Sequence, residues 1–294
     1  MSKTLATPVT VIGGYLGSGK TTLVNHLLRN ADGKRLAILV NEFGDLQIDA
    51  DLIEAQDDDI ISLAGGCVCC SFGNDLIMAM LDMAKMDPRP DHIILEASGV
   101  ALPAAIASSI SLLNGFSMDG IIVLADAENI HDRSKDKYMS DTILRQLEDA
   151  DIILLNKVDL ISRENRKMTL NWLNEIAYKT PIIETNRSMV SPVVLLRDFD
   201  RQTKKINAAL APHQPRNFRT SLNVPDMLVD PAEFAERLIL ENSELVRAKG
   251  FVKAFDGTMQ TIQIVGKRIE IAQAPDGVET GVVTISIGRH QDDQ

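Results

Sequence analysis

Residues 9–21 read VTVIGGYLGSGKT, and this stretch decides the fold of the chain. The β-branched run 9–12 predicts a buried strand, and the segment from Gly14 to Thr21 matches the phosphate-binding loop pattern G-x-x-x-x-G-K-[ST]. In such a loop the backbone N–H groups close around phosphate oxygens between a strand and a helix. The sequence therefore predicts a P-loop nucleotide-binding domain.

The residues of this loop have distinct predicted roles. The Lys20 ammonium neutralises the β- and γ-phosphate oxygens, which makes it a candidate catalytic group, and the Thr21 hydroxyl is placed to ligate Mg²⁺. The loop residues predicted to contact the nucleotide are Gly14, Gly17, Ser18, Gly19, Lys20, Thr21 and Thr22.

Beyond the loop, short apolar runs alternate with longer amphipathic stretches. The runs predict strands at 9–12, 36–40, 60–63, 92–95, 120–125, 151–155 and 181–183. The intervening stretches predict helices at 21–30, 75–85, 164–178 and, more briefly, 141–147. This alternation is typical of an α/β fold, here a P-loop NTPase domain with a mostly parallel sheet flanked by helices on both faces.

The pattern changes at a proline-bounded polar stretch, 211–215, which predicts a linker. We expect the nucleotide domain to cover 1–210, the linker 211–219 and a small α+β domain 220–294. The last is predicted to hold one helix, 231–240, and strands at 246–255, 259–265, 268–272 and 282–287, with Asp256-Gly257 as a hairpin turn.

Composition excludes several classes of protein. The 294 residues are 45% hydrophobic and 24% charged, as in ordinary globular proteins. The net charge of −11 repels phosphate backbones, so nucleic acid is not an expected partner. We find neither an apolar run that would span a membrane nor a signal peptide pattern, and we expect a cytoplasmic protein.

A second phosphate-side motif, Glu96-Ala97-Ser98-Gly99, follows the apolar run 93–95. It places a carboxylate at the tip of a predicted parallel strand, where open α/β sheets bind ligands. We assign Glu96 to Mg²⁺ or its water shell, with a catalytic role, and the Gly99 N–H to the γ-phosphate.

Base recognition is predicted at Asn156-Lys157-Val158-Asp159, which follows another apolar strand. The Asp159 carboxylate can accept hydrogen bonds from N1 and N2 of guanine, and adenine has no matching pair of donors. We therefore expect Asn156, Lys157 and Asp159 to select GTP.

The three cysteines of the chain all lie in Cys67-Val68-Cys69-Cys70. Three adjacent thiolates suit a thiophilic ion such as Zn²⁺ and leave one coordination position open, although a redox or buried cysteine group is the alternative. The preceding segment, 41–45, is a candidate γ-phosphate sensor, and its Glu42 is a candidate fourth metal ligand.

No residue stands out as the group that orients the attacking water. Gln146 is distant in sequence from the γ-phosphate motifs and is not nominated. We expect slow GTP hydrolysis without a partner.

Taken in order, these motifs resemble the CobW-type GTPases, which include cobalamin-biosynthesis proteins, nitrile hydratase activator-like proteins and zinc-regulated metallochaperones. The resemblance runs from Thr7 to Asp198 and continues faintly through 246–271. It implies a metallochaperone that uses GTP to load or deliver a metal to a client metalloprotein, with Cys67, Cys69 and Cys70 as metal ligands. Many relatives carry a histidine-rich stretch that this chain does not have.

The sequence leaves several points open. Zinc is the favoured metal, and cobalt or iron would satisfy the same thiolates. The alternatives in function are a non-enzymatic regulator switched by GTP and metal, and a small-molecule kinase. The sequence does not specify the oligomeric state.

Overall fold

The computed structural model describes residues 6–31, 33–40, 60–64, 74–196, 218–225, 227–275 and 277–288. Its larger sheet has seven parallel strands in the order β3-β2-β4-β1-β5-β6-β7. The strands are β1 (Thr7–Gly14), β2 (Leu36–Val40), β3 (Ile60–Ala64), β4 (His92–Glu96), β5 (Phe116–Asp126), β6 (Ile152–Asn156) and β7 (Ile182–Thr185).

Seven helices accompany this sheet in the described residues. They are α1 (Lys20–Arg29), α2 (Asn74–Lys85), α3 (Pro103–Ser111), α4 (Ile130–Arg133), α5 (Ser140–Glu148), α6 (Arg163–Ile176) and α7 (Pro192–Leu195). Apolar residues of α2, α3, α5 and α6 cover one face of the sheet, and those of α1 and α7 cover the other. The predicted α/β class, with a mostly parallel sheet flanked by helices, is confirmed.

Helix α3 was not predicted from the sequence. Its residues, PAAIASSIS, are mostly small, and no side chain caps its first turn. The helix is stabilised by tertiary burial, because Ile106 and Ile110 pack into the core against the central strands.

The C-terminal part forms a five-stranded antiparallel sheet, with strands in the order β11-β10-β9-β12-β8. Its strands are β8 (Phe218–Asn223), β9 (Leu245–Lys253), β10 (Met259–Val265), β11 (Arg268–Gln273) and β12 (Gly281–Ile287), and helix α8 (Pro231–Glu241) packs on it. The predicted α+β class of this domain is confirmed.

The domain boundaries remain a prediction. Residues 211–217 of the predicted linker lie outside the described residues, and β8 begins at Phe218, within the range assigned to the linker. This strand was missed because its sequence, FRTSLN, is mostly polar and has no continuous apolar run. In the structure its residues are half-buried or exposed.

The C-terminal sheet packs on the same face of the parallel sheet as α1. Val246, Val265, Ile285 and Ile287 belong to one apolar cluster with residues of α1, β1 and β2. A Cβ at Gly266 would lie 1.7 Å from the Asp151 carbonyl oxygen, so only glycine permits this approach of the β10–β11 turn. The two sheets therefore share a core.

Candidate functional site: the phosphate and base loops

The carboxyl edge of the parallel sheet brings the predicted motifs together. Glu96 ends β4 and lies opposite Ile12 of β1, just before the phosphate loop. Asp126, Asn156 and Thr185 end β5, β6 and β7 and form a continuous row. Because parallel strands end at the same edge, residues far apart in sequence line one crevice.

The phosphate loop has the backbone geometry that its glycines permit. Gly14, Gly17 and Gly19 have φ values of 131°, 76° and 103°, in the region that favours glycine. The loop is closed by a hydrogen bond from the Ser18 N–H to the Tyr15 carbonyl (3.2 Å), and α1 begins at Lys20. This is the strand–loop–helix arrangement predicted for phosphate binding.

The loop side chains lie at the mouth of this arrangement. The Lys20 ammonium donates to the Gly14 carbonyl at 3.0 Å. The Ser18 hydroxyl is buried without a hydrogen-bond partner, and Ser18 and Tyr15 line the same small cleft. Thr22 is exposed on the first turn of α1. The phosphate loop thus carries two polar side chains, those of Lys20 and Ser18, that suit phosphate oxygens.

The predicted magnesium residues are in direct contact. The Thr21 hydroxyl donates to Glu96 Oε1 at 2.9 Å, and the Glu96 side chain is buried. Two oxygen ligands beside a phosphate loop match the chemistry of Mg²⁺, which prefers oxygen and binds through few protein groups plus phosphate. The residues present therefore fit the ion.

Gly99 packs against the phosphate loop. A Cβ at this position would lie 2.8 Å from the Leu16 amide nitrogen and 2.6 Å from Leu16 Cδ2. Gly99 is therefore held beside the loop, as its predicted position near the γ-phosphate requires, and a larger residue would separate the two segments.

Asn156 connects the phosphate loop to the loop after β7. Its amide nitrogen donates to the Ser18 carbonyl (2.9 Å) and to the Ser188 hydroxyl (3.0 Å), and its amide oxygen accepts from the Ser188 N–H (2.9 Å). The Ser188 hydroxyl donates in turn to the Gly19 carbonyl at 3.1 Å. Asn156 thus acts mainly by holding two loops in register.

Asp159 has a partner that the sequence did not reveal. It lies exposed in a 3₁₀ turn, Val158–Leu160, and the Asn186 amide donates to Asp159 Oδ1 at 3.1 Å when its nitrogen, rather than its oxygen, is turned towards the surrounding acceptors. This contact fixes the carboxylate that is predicted to read guanine. The polar run 185–188 directly after a strand was the available signal.

Asp126 is a second residue that sequence reasoning missed. Burial alone would raise the pKa of its carboxyl, but hydrogen bonds from Lys157 Nζ (2.7 Å), the Asn129 amide (3.1 Å) and the Glu128 N–H (3.0 Å) outweigh it and lower the pKa. Lys157 has a left-handed backbone, with φ of 63°. The ion pair therefore anchors the lysine of the base motif to the end of β5.

The predicted transferred-metal ligands Glu42, Cys67, Cys69 and Cys70 lie outside the described residues. Among the residues that the structure describes, no group of three His, Cys, Asp or Glu side chains is placed to hold a metal ion. In the same residues, no helix has both the length and the apolar character needed to cross a membrane.

Comparison with known proteins assigns the chain to a family. The model of the CobW/HypB/UreG nucleotide-binding domain matches residues 8–184. This chain belongs to the CobW/HypB/UreG family. That membership confirms the resemblance and the prediction of a P-loop GTPase.

Relatives of this CobW/HypB/UreG member share much of its length. A protein named zinc chaperone CobW from Sinorhizobium sp is 31% identical, over 98% of this chain and 94% of the relative. Zinc chaperone YjiA from Escherichia coli is 34% identical, over 83% and 81%. A zinc-bound triple mutant of YjiA GTPase is 22% identical over 96% and 94% of the chains, with a TM-score of 0.50, which indicates a shared fold.

Proposed function

We propose that this chain is a GTP-dependent zinc chaperone, which binds Mg²⁺-GTP at the described site and one zinc ion through Cys67, Cys69 and Cys70, with Glu42 as a further ligand. Delivery to a client metalloprotein is the second part of the proposal. The relatives named zinc chaperones, one of them aligned over nearly all of this chain, support the choice of metal.

The observation that carries the proposal is the strand order. Strand β2 lies between β3 and β4, with Val40 opposite both Ala64 and Glu96. The segments that carry Glu42 and Cys67 start from Val40 and Ala64, within about two strand spacings, ~10 Å, of the Thr21–Glu96 pair. A span of three residues reaches at most ~11 Å, which is long enough for Cys67 to approach the magnesium side of the site from Ala64.

An approach of this kind would supply a physical route from nucleotide to metal. Thr21 and Glu96 would hold Mg²⁺, whose charge offsets that of the phosphate oxygens, while Lys20 binds the β- and γ-phosphates. A γ-phosphate that orders the 41–45 segment would bring Glu42 to the thiolates, and hydrolysis would release it. Coupling of this kind is reciprocal, so zinc must tighten GTP binding by the factor by which GTP tightens zinc binding.

The experiment is a zinc titration of the reduced protein against a chromophoric chelator, with GDP and then with a non-hydrolysable GTP analogue. We expect tighter zinc binding with the analogue, by about 5- to 150-fold for a typical coupling free energy. The triple variant Cys67→Ala, Cys69→Ala, Cys70→Ala should lose the zinc while keeping its affinity for the analogue. A zinc affinity that is the same with GDP and with the GTP analogue, or that is retained in the triple variant, would refute the proposal.

Delivery needs a separate measurement. Zinc-loaded protein mixed with GTP and an acceptor chelator should transfer its zinc at the rate of GTP hydrolysis, and with the analogue it should hold the zinc. Transfer that proceeds equally fast with both nucleotides would exclude release by hydrolysis.

A further inference from the structure

The side chain of Gln146 is buried against the loop that follows β4. Gln146 lies on α5, is 1% exposed, and uses its amide nitrogen to donate to the Ala101 carbonyl at 2.6 Å and the Gly99 carbonyl at 3.3 Å. A buried amide donor that loses its acceptors is costly, so these two bonds resist any movement of the loop away from α5.

The loop that Gln146 holds carries the motif predicted to contact Mg²⁺ and the γ-phosphate, Glu96–Gly99. It begins at Glu96, which accepts from Thr21, and continues to Gly99, which packs against Leu16 of the phosphate loop. Gly99 has no side chain of its own, so its position is set by its neighbours. Leu16 limits its approach from one direction, and Gln146 binds its carbonyl.

The same last turn of α5 also contacts the C-terminal domain. The Glu148 carbonyl at the end of this helix accepts from the Lys267 ammonium, which belongs to the turn between β10 and β11. At the start of β11, Arg268 Nε donates at 2.9 Å to Oδ2 of Asp151, a residue that follows α5 in sequence. Together with the close approach of Gly266 to Asp151, these contacts fix the turn against the end of the helix.

We propose that Gln146 is a positioning residue of the GTPase site, and that α5 couples the position of Gly99 to the 266–268 turn of the C-terminal domain. The Gln146 bonds would hold the Gly99 N–H where a γ-phosphate can accept from it, and because Gln146 and Glu148 lie in the same last turn of α5, this turn links the position of Gly99 to the 266–268 turn. The C-terminal domain would then respond to the γ-phosphate without contacting the nucleotide.

The inference rests on the GTP site of the proposed function and is independent of its metal. Gln146→Met keeps the length of the side chain and removes both donors, and Gln146→Glu adds a carboxylate that faces two carbonyl oxygens. Affinities for GDP and for a non-hydrolysable GTP analogue are measured by fluorescence titration. The buffer contains Mg²⁺ and is freed of zinc by a chelator.

For Gln146→Met we expect the affinity for the GTP analogue to fall by about 5- to 20-fold, as for the loss of one or two hydrogen bonds. Affinity for GDP should stay within about twofold, because GDP has no γ-phosphate for Gly99 to contact. Gln146→Glu should show the larger loss. A purely structural role would lower both affinities together, and that result, or no change in either, would overturn the proposal.

The link to the C-terminal domain is tested by Lys267→Met, with Lys253→Met, an exposed lysine on β9, as the matched control. We expect Lys267→Met to lower the preference for the GTP analogue over GDP by about two- to threefold, and the control to leave it unchanged. In the double variant with Gln146→Met the two effects should not multiply, since both act through α5. Effects that multiply would overturn the coupling. If the unmodified protein bound neither nucleotide, the proposed function itself would fail.

Discussion

Removing the charge of Arg247 tests how the two sheets are held together. Arg247 on β9 pairs through Nη2 with Asp119 Oδ1 on β5, and the side chains are 10% and 1% exposed. The other Asp119 oxygen accepts from the Thr10 hydroxyl at 3.2 Å, and the Thr10 hydroxyl also contacts His92 Nε2 at 2.8 Å. The ion pair thus joins the C-terminal sheet to strands β1, β4 and β5.

The variant Arg247→Met leaves the buried Asp119 carboxyl group without its arginine partner. Breaking a buried pair from one side costs about 3–5 kcal/mol, whereas an exposed pair contributes about 0–1 kcal/mol. The exposed pair Lys85–Asp82, with an N–O distance of 2.9 Å and side chains 73% and 60% exposed, supplies the control variant Lys85→Met. We expect the two variants to differ by at least about 2 kcal/mol.

The assay is urea unfolding followed by circular dichroism, from which the free energy of unfolding is obtained by linear extrapolation. Adding Asp119→Asn to Arg247→Met should recover part of the loss, because the acidic group that lost its arginine partner is then replaced by a neutral amide. A loss below about 1 kcal/mol for Arg247→Met would show that the Asp119 carboxylate becomes hydrated and that the pair does not hold the domains together.

Three further predictions concern the nucleotide site. Asp159→Asn should lower GTP affinity by about 10²-fold or more, since two charge-assisted hydrogen bonds of about 1.5–3 kcal/mol each are lost. Affinity for xanthosine triphosphate should rise. An unchanged base preference in competition titrations would show that Asp159 does not bind the guanine base. Asn156→Ala should lower the free energy of unfolding by about 2–4 kcal/mol and should also lower GTP affinity, because it removes the bonds that hold Ser188 and the phosphate loop. Thermal unfolding and GTP titrations that both match the unmodified protein would refute this. For Asp126, the lowered pKa means that the carboxylate stabilises the fold above its ordinary pKa of 3.8, and this contribution is lost as pH falls through the lowered value. Asp126→Asn should therefore flatten the loss of stability below about pH 4, and an unchanged acid unfolding curve would contradict it.

Much of the site was predictable because its motifs are local. The phosphate loop, Glu96–Gly99 and Asn156–Asp159 each follow an apolar run, and the structure places all three at one edge of the sheet. Parallel strands connected by helices leave no other edge for these loops, so the strand pattern alone predicted their proximity. The same logic applied to the end of β5 would have found Asp126.

Contacts between side chains were not predictable in this way. Gln146 was set aside because it lies 47 residues from Gly99, and only the packing of α5 on the sheet brings the two together. Asn186 reaches Asp159 from the loop after β7, and Arg247 pairs with Asp119, which is 128 residues away in sequence. No periodicity or spacing encodes such pairs.

The sequence by itself determined the class of this protein: a P-loop GTPase domain, followed by a small α+β domain, with three thiols on one short segment. It did so because strand and helix periods, glycine-dependent turns and motif spacing are local properties of the chain. The tertiary structure decided how the loops are held, which buried charges join the two sheets, and which helix lies between the γ-phosphate loop and the C-terminal domain. Those features depend on burial and on contacts that exist only once distant segments pack together.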